Sequence, residues 1–311
     1  MREEDRVGGT SSRPRVARLI AGYGAIACAV PYLALKAVWL SGGNLGVAQP
    51  ALMQEPSMIA LNAITAGMDL VGIALALAFT HEWGLRLPAW ILLPPMWVAT
   101  GLLARFVVGV PVTMLNALLS GSVPRGSGGP VQPWVYIVVY IGFAGMGIGL
   151  LAAFFLYART RWAAVLESPL RGVEPGATRE VQSLLANATA TLALALGVLH
   201  LAWAAVGRRG SLVSGIDGAL MVCAAAGVSM MARRIGGTVR FWLPVTMTWV
   251  GAGSMFAWGA WQTTNVLGQT ALLRPTEGMA LVNLVGLFNL IVGLAMGLLA
   301  LFMAAERHAQ S

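Results

Sequence analysis

Long runs of apolar residues with few polar interruptions recur along most of the chain. A helix needs about 20 such residues to cross the hydrocarbon core of a bilayer. Helices are predicted because an open sheet in lipid would leave backbone groups unpaired. The eight predicted spans are 17–40, 58–80, 88–112, 134–157, 184–206, 211–232, 240–262 and 279–304. The pattern therefore predicts an all-α integral membrane protein with eight transmembrane helices.

The composition supports this prediction and excludes a water-soluble enzyme. Of the 311 residues, 58% are hydrophobic and 10% are charged, and the mean hydropathy is +0.75. A soluble domain carries about 25% charged residues. The net charge of +8 would suit a nucleic-acid partner, but the placement of the basic residues argues against one.

The basic residues divide unevenly between the two sides of the predicted membrane. With the N-terminus inside, 14 of the 20 Lys and Arg residues fall on the cytoplasmic side, and only Arg125, Arg208, Arg209 and Arg274 fall outside. Cytoplasmic loops of membrane proteins carry such an excess. We therefore expect a multi-pass protein of the cell membrane with both termini in the cytoplasm, in contact with membrane lipids and with no nucleic-acid partner.

Short motifs recur in the same order in the two halves, which indicates an internal duplication. The matched segments are 35–39 with 199–203, 67–69 with 215–217, 90–101 with 242–253, and 145–154 with 293–302. Each half contains an even number of spans, so the two halves are expected to share one orientation as parallel four-helix repeats.

The spans and the duplication together predict how the chain is organised. The predicted parts are a disordered cytoplasmic tail at 1–16, a first four-helix repeat at 17–157, a cytoplasmic connector at 158–183, a second four-helix repeat at 184–304, and a cytoplasmic tail at 305–311.

Ionisable residues inside spans are functional candidates, because an Asp there costs about 2.5–3.5 kcal/mol on insertion scales. The five are Lys36, Asp69, Arg105, His200 and Asp217. His200 and Asp217 flank a predicted hairpin centred near residue 208 at similar distances, so they are expected at one depth. Two interpretations stay open: polar pairs that fix helix packing, or an acid site.

The acid-site interpretation depends on the chemistry of a buried carboxyl group. Such a group resists ionisation in an apolar pocket, and when neutral it can act as a general acid. Lys36 close to Asp69 would keep that carboxylate charged, whereas a neutral His200 can hold Asp217 by a hydrogen bond. Asp217 is therefore the first candidate for the proton donor, and Asp69 is either a second acid or a charge-pair anchor.

Two duplicated pairs of tryptophans suggest an aromatic binding site. Trp97 and Trp249 lie about two helical turns inside the core, where an interfacial anchor has no use. The other pair is Trp39 and Trp203. An indole face stabilises a nearby cation by about 0.5–2 kcal/mol. These four tryptophans, together with Lys36 and Arg105, are the predicted substrate-binding residues.

No motif for a metal or a cofactor stands in the sequence. An Asp-rich diphosphate motif, H-E-x-x-H, a Cys/His cluster and G-x-x-x-x-G-K-[ST] are all missing. The sequence therefore predicts chemistry without a metal and without a cofactor.

The chain has Asp69 in an early span and Asp217 about 150 residues later. In these two residues and in its size, it resembles the small integral-membrane terpene cyclases of actinobacterial drimentine-type pathways. Those enzymes act on farnesylated indoles. The resemblance implies that the two acidic residues protonate the terminal alkene or epoxide of a lipophilic isoprenoid substrate. The predicted function is a membrane-bound terpene cyclase with Asp217, Asp69 and His200 as catalytic residues. A proton-coupled transporter or resistance/export protein, and a non-catalytic membrane subunit, remain alternatives.

Overall fold

The computed structural model of the protein describes residues 8–120, 129–171, 178–207, 211–269 and 279–309. Within these ranges the backbone is helical apart from short connections, and the only β pairings are two isolated bridges. The helices of the described residues are α1 (Gly8–Leu40), α2 (Pro50–Met53), α3 (Pro56–Thr80), α4 (Glu82–Arg86), α5 (Ala89–Ser120), α6 (Pro133–Arg161), α7 (Ala163–Glu167), α8 (Arg179–Ala205), α9 (Ser211–Arg233), α10 (Trp242–Leu267) and α11 (Met279–Ala309).

Seven of the described helices are long and apolar enough to cross a membrane, namely α1, α3, α5, α6, α8, α9 and α11. The prediction of an all-helical membrane protein is confirmed at this level. The predicted span 240–262 coincides with α10, which is 26 residues long but is not one of the seven.

The composition of α10 explains why it differs from the other long helices. It contains no charged residue, yet Trp, Gly, Ser and Thr side chains and the Gln262–Asn265 segment lower its hydropathy. Most of its small and polar residues are buried, and it packs on both α9 and α11. Small residues are favoured where transmembrane helices approach closely, so packing determines the composition of this helix.

Two helices extend beyond the predicted spans. The first begins at Gly8, before the predicted start at residue 17, and residues 1–7 of the predicted disordered tail at 1–16 lie outside the described residues. The loop predicted after the third span is too long, because α5 continues to Ser120. The predicted ends follow the apolar stretches. A helix can continue beyond such a stretch, because its turns form their own backbone hydrogen bonds whether the side chains are apolar or polar.

The chain divides into two compact units. Unit 1 comprises Met1–Met96, Phe106–Arg161 and Gln269–Leu272, and unit 2 comprises Trp97–Arg105, Trp162–Gly268 and Leu273–Ser311. In unit 1, α1 packs on both α3 and α6. In unit 2, α8, α9, α10 and α11 pack in chain order, and α11 also contacts α8, which closes a four-helix ring. Residues 97–105 of α5 pack with this second unit, although they lie in the first predicted repeat.

Candidate functional site

Unit 1 buries one ion pair between α1 and α3. The Nζ of Lys36 donates to Oδ2 of Asp69 at 2.7 Å, and the Lys36 side chain has no exposed surface. Tyr32, one helical turn before Lys36, places its ring 4.1 Å from the same Nζ. Residues four apart on a helix face each other, so the aromatic contact follows from the local sequence. The ammonium group is thereby held between a carboxylate and an aromatic ring.

Unit 2 buries a second ion pair, in which the cation comes from α5 and the carboxylate from α9. Arg105 donates from Nε to Oδ1 of Asp217 at 2.5 Å and from its Nη2 to Oδ2 at 2.6 Å. Its guanidinium carbon lies 3.8 Å from the centre of the Trp258 ring on α10. Two parallel bonds between a guanidinium and a carboxylate are the strongest common form of charge-assisted pairing. Both oxygens of Asp217 therefore accept from one guanidinium.

His200 adds a third ionisable group to the unit 2 pair. Its Nδ1 lies 3.9 Å from Oδ2 of Asp217, the oxygen that also accepts from Arg105. Trp203, three residues further along α8, contacts the imidazole ring edge-on at a centroid distance of 5.1 Å. His200 and Asp217 are both buried, whereas 21% of the Arg105 side chain is exposed. Arg105 thus keeps the largest exposed fraction of the three side chains.

The two ion pairs show which side chains lie next to Asp69 and Asp217, and these can be compared with the predicted neighbours. The expectation that Lys36 lies close to Asp69 is confirmed. The expectation that His200 holds Asp217 by a hydrogen bond is wrong, because their nearest atoms are 3.9 Å apart and Arg105 makes the bonds instead. Sequence reasoning did not pair Arg105 with Asp217, since 112 residues separate them and no local pattern connects α5 with α9.

The deep tryptophans Trp97 and Trp249 lie next to each other within unit 2. Their ring centroids are 6.5 Å apart, and the indole of Trp97 stacks on Phe256 at 5.0 Å. Trp97 donates to the carbonyl oxygen of Trp249 at 3.0 Å, and Trp249 donates to the hydroxyl of Thr100 at 3.3 Å. Each tryptophan therefore forms a hydrogen bond to the helix that carries the other.

Glycines allow this contact between α5 and α10. A Cβ atom on Gly101 would overlap the carbonyl oxygen of Gly253, and one on Gly253 would lie 2.9 Å from the carbonyl oxygen of Trp97. Gly101 and Gly253 are matched positions of the predicted duplication, as are Trp97 and Trp249. The contact between α5 and α10 therefore includes residues that are matched in the predicted duplication.

The remaining predicted tryptophans belong to different surroundings. In unit 1, Trp39 donates from its indole to the carbonyl oxygen of Leu45 at 2.8 Å and contacts the Tyr32 ring edge-on. In unit 2, Trp203 is buried next to His200. Both therefore lie beside the buried ion pair of their own unit.

Within the described ranges, no group of three or more His, Cys, Asp and Glu side chains is placed to hold a metal ion. Comparisons with protein-family models, with curated proteins and with solved structures find no match for the chain. The similarity to membrane terpene cyclases therefore stays a prediction, and the buried side chains carry the functional argument.

Proposed function

We propose that the protein is a membrane transporter in which the Arg105–Asp217–His200 cluster couples proton binding to substrate movement. The observation that supports it is the bidentate pair itself. A general acid must be protonated before it reacts, but a carboxylate bonded twice to a guanidinium has no proton to give. In a buried charge pair beside a histidine, protonation of the histidine allows the carboxylate to exchange one cationic partner for the other. Proton relay of this kind is a common role of intramembrane ionisable residues.

The proposal includes a topology of eight spans with both termini in the cytoplasm. It counts α10 as a span because that helix has 26 residues and no charged side chain. An even number of spans also agrees with the basic residues predicted on one side of the membrane. Cysteine accessibility labelling at the C-terminal end of α11 tests it: a residue there should be labelled only after the membrane is made permeable.

Proton-coupled transport is tested in proteoliposomes that enclose a pH-sensitive dye. The vesicles are challenged with tetraphenylphosphonium, ethidium, benzoate and lactate, and rates in protein-free vesicles are subtracted. We expect at least one compound to move protons in the wild type, with a rate at least tenfold lower in Arg105→Gln. Arg15→Gln is the matched control, because Arg15 forms an exposed ion pair with Glu82. Equal rates in wild type and Arg105→Gln for every compound would contradict transport through this cluster.

A second candidate is the membrane-bound terpene cyclase acting on a lipophilic isoprenoid substrate. The aromatic cluster of Trp97, Trp249 and Phe256 favours it, because indole faces stabilise carbocations. Membranes incubated with farnesylated indole should then yield isomers of unchanged mass. Trp249→Leu should release partly cyclised products that Trp249→Phe does not, since only the latter keeps an aromatic face. One unchanged product from both variants would rule out this role of Trp249.

A further inference from the structure

We infer that the unit 2 cluster is a binding site for an organic carboxylate that loads together with one proton. The carboxylate takes the place of Asp217 on the Arg105 guanidinium, while protonated His200 takes over Asp217. This inference rests on the proposed transport function and names its substrate class and its protonation site.

The positions of the three side chains allow this exchange of partners. Asp217 Oδ2 already lies between Arg105 Nη2 at 2.6 Å and His200 Nδ1 at 3.9 Å. A shift of about 1 Å would bring the histidine contact to the length of a charge-assisted hydrogen bond. The Arg105 side chain is 21% exposed and that of Asp217 is 4% exposed, so the inference places the entering anion on the Arg105 side of the pair.

The chemistry of Arg105 selects the class of ligand. A guanidinium presents a planar fork of donors that fits a two-oxygen anion, and Asp217 shows that a carboxylate occupies this fork in the structure. The guanidinium also lies against the ring of Trp258. An aromatic or aliphatic carboxylate satisfies both the fork and the apolar surroundings, whereas an organic cation would be repelled by Arg105.

Charge balance requires that the anion and the proton enter together. Before loading, one guanidinium, one carboxylate and a neutral imidazole sum to zero. After loading, a guanidinium, an imidazolium and two carboxylates again sum to zero. An unbalanced charge in a buried site carries a large desolvation penalty, so either ligand alone would bind weakly.

The counterpart of His200 in the predicted duplication is Lys36. The two side chains differ in how they meet the nearby Asp, and this difference supports His200 as the protonation site. Lys36 is bonded directly to Asp69, whereas His200 stands beside a carboxylate that Arg105 already holds. The other charged groups on the helices packed against α8 are bonded elsewhere: Arg233 to Asn187, Glu306 to Thr178 and Gln182, and Arg307 to the 168–170 segment. His308 lies in the last turn of α11, more than ten residues from Asn289 along the same helix. Asp217 and Arg105 are therefore the charged groups that control protonation of His200.

The test measures proton uptake and carboxylate binding with the purified full-length protein in detergent. Radiolabelled benzoate, octanoate and lactate are the probes, and a pH indicator in weak buffer reports proton uptake. We expect at least one probe to bind with uptake of one proton per carboxylate. Its affinity should fall with rising pH, by up to about tenfold for each pH unit, because binding is linked to one proton.

Variants at His200 separate the proton site from the anion site. His200→Gln cannot be protonated and should weaken binding at least tenfold and abolish proton uptake. His200→Lys resembles Lys36 and should bind the carboxylate without proton uptake. The control is the double variant His81→Gln/His308→Gln, which removes the other two of the three histidines and should behave as wild type.

A variant at the carboxylate gives an independent readout. Asp217→Asn leaves Arg105 without its anion, so this variant should bind benzoate or octanoate with an affinity that no longer depends on pH. Binding of tetraphenylphosphonium but of none of the carboxylates, pH-independent binding to the wild type, or unchanged proton uptake in His200→Gln would each overturn the inference. Proton-coupled flux of a cation in proteoliposomes would leave the transport proposal standing while this inference fails.

Discussion

The two buried ion pairs use the same chemistry in different settings. Lys36 and Asp69 come from neighbouring spans of one unit, and the cation is completely enclosed beside Tyr32. Arg105 and Asp217 come from α5 and α9, the cation is partly exposed, and a histidine stands next to the shared oxygen. An enclosed pair whose third neighbour is the Tyr32 phenol suits a structural role, whereas a partly exposed pair beside a histidine can exchange partners. In the proposed transport function, the first pair stabilises packing in unit 1 and the second pair binds proton and substrate in unit 2.

The two glycine segments that are matched in sequence also have different surroundings. A Cβ on Gly149 would lie 2.6 Å from the carbonyl oxygen of Ala21 on α1, whereas one on Gly293 would lie 2.5 Å from the backbone nitrogen of Phe256 on α10. The segments 145–154 and 293–302 are matched in sequence. The segment 145–154 packs on α1, the first predicted span of its half, whereas 293–302 packs on α10, the third predicted span of its half. Similar small-residue motifs can therefore stabilise different helix pairs.

The largest effect on stability is expected at Lys36. Lys36→Met leaves the Asp69 carboxylate buried without a cation, and breaking a buried pair in this way costs about 3–5 kcal/mol. The double variant Lys36→Met/Asp69→Leu removes both charges and should recover most of the stability. The unfolding midpoint of the purified protein in detergent measures both. A double variant as unstable as the single one would argue against a packing role for the pair.

A smaller loss of stability and a larger loss of function are expected at Arg105. The Arg105 side chain is partly exposed, so Asp217→Leu should cost less stability than Lys36→Met. Arg105→Met/Asp217→Leu should again restore the unfolding midpoint, but proton-coupled flux should remain at least tenfold below wild type. Flux at the wild-type rate in this double variant would make the second pair structural as well, and the contrast between the units would disappear.

The smallest effects are expected at the two aromatic rings that contact the cations. Trp258→Leu and Tyr32→Leu each remove a cation–π contact, which contributes about 0.5–2 kcal/mol. Tyr32→Phe keeps the ring and serves as the control, with an unfolding midpoint close to wild type. We also expect Trp258→Leu to lower the flux rate, because Arg105 loses one of its two supports, and Tyr32→Leu to leave the rate per folded molecule unchanged. A lower rate in Tyr32→Leu would give the first pair a share in function.

The sequence by itself determined the helical class, most of the helices long and apolar enough to cross a membrane, and the candidate ionisable residues within them. Hydrophobic length is a local property, so the positions of α1, α3, α6, α8 and α11 could be predicted from single stretches. The contact of Lys36 with Asp69 was also predictable, because consecutive spans pack as neighbours. The ionisable residues are recognisable without a structure, since each is costly in an apolar stretch.

Only the tertiary structure decided which cation each carboxylate binds and which helices meet. Lipid is as apolar as the helix surfaces, so no hydrophobic force selects partners among the spans, and packing of small residues and polar bonds selects them instead. That selection brings Arg105 of α5 to Asp217 of α9, leaves His200 at 3.9 Å, and buries the less apolar α10 between α9 and α11. Such choices depend on surface shape across distant segments, and no local pattern of residues encodes them.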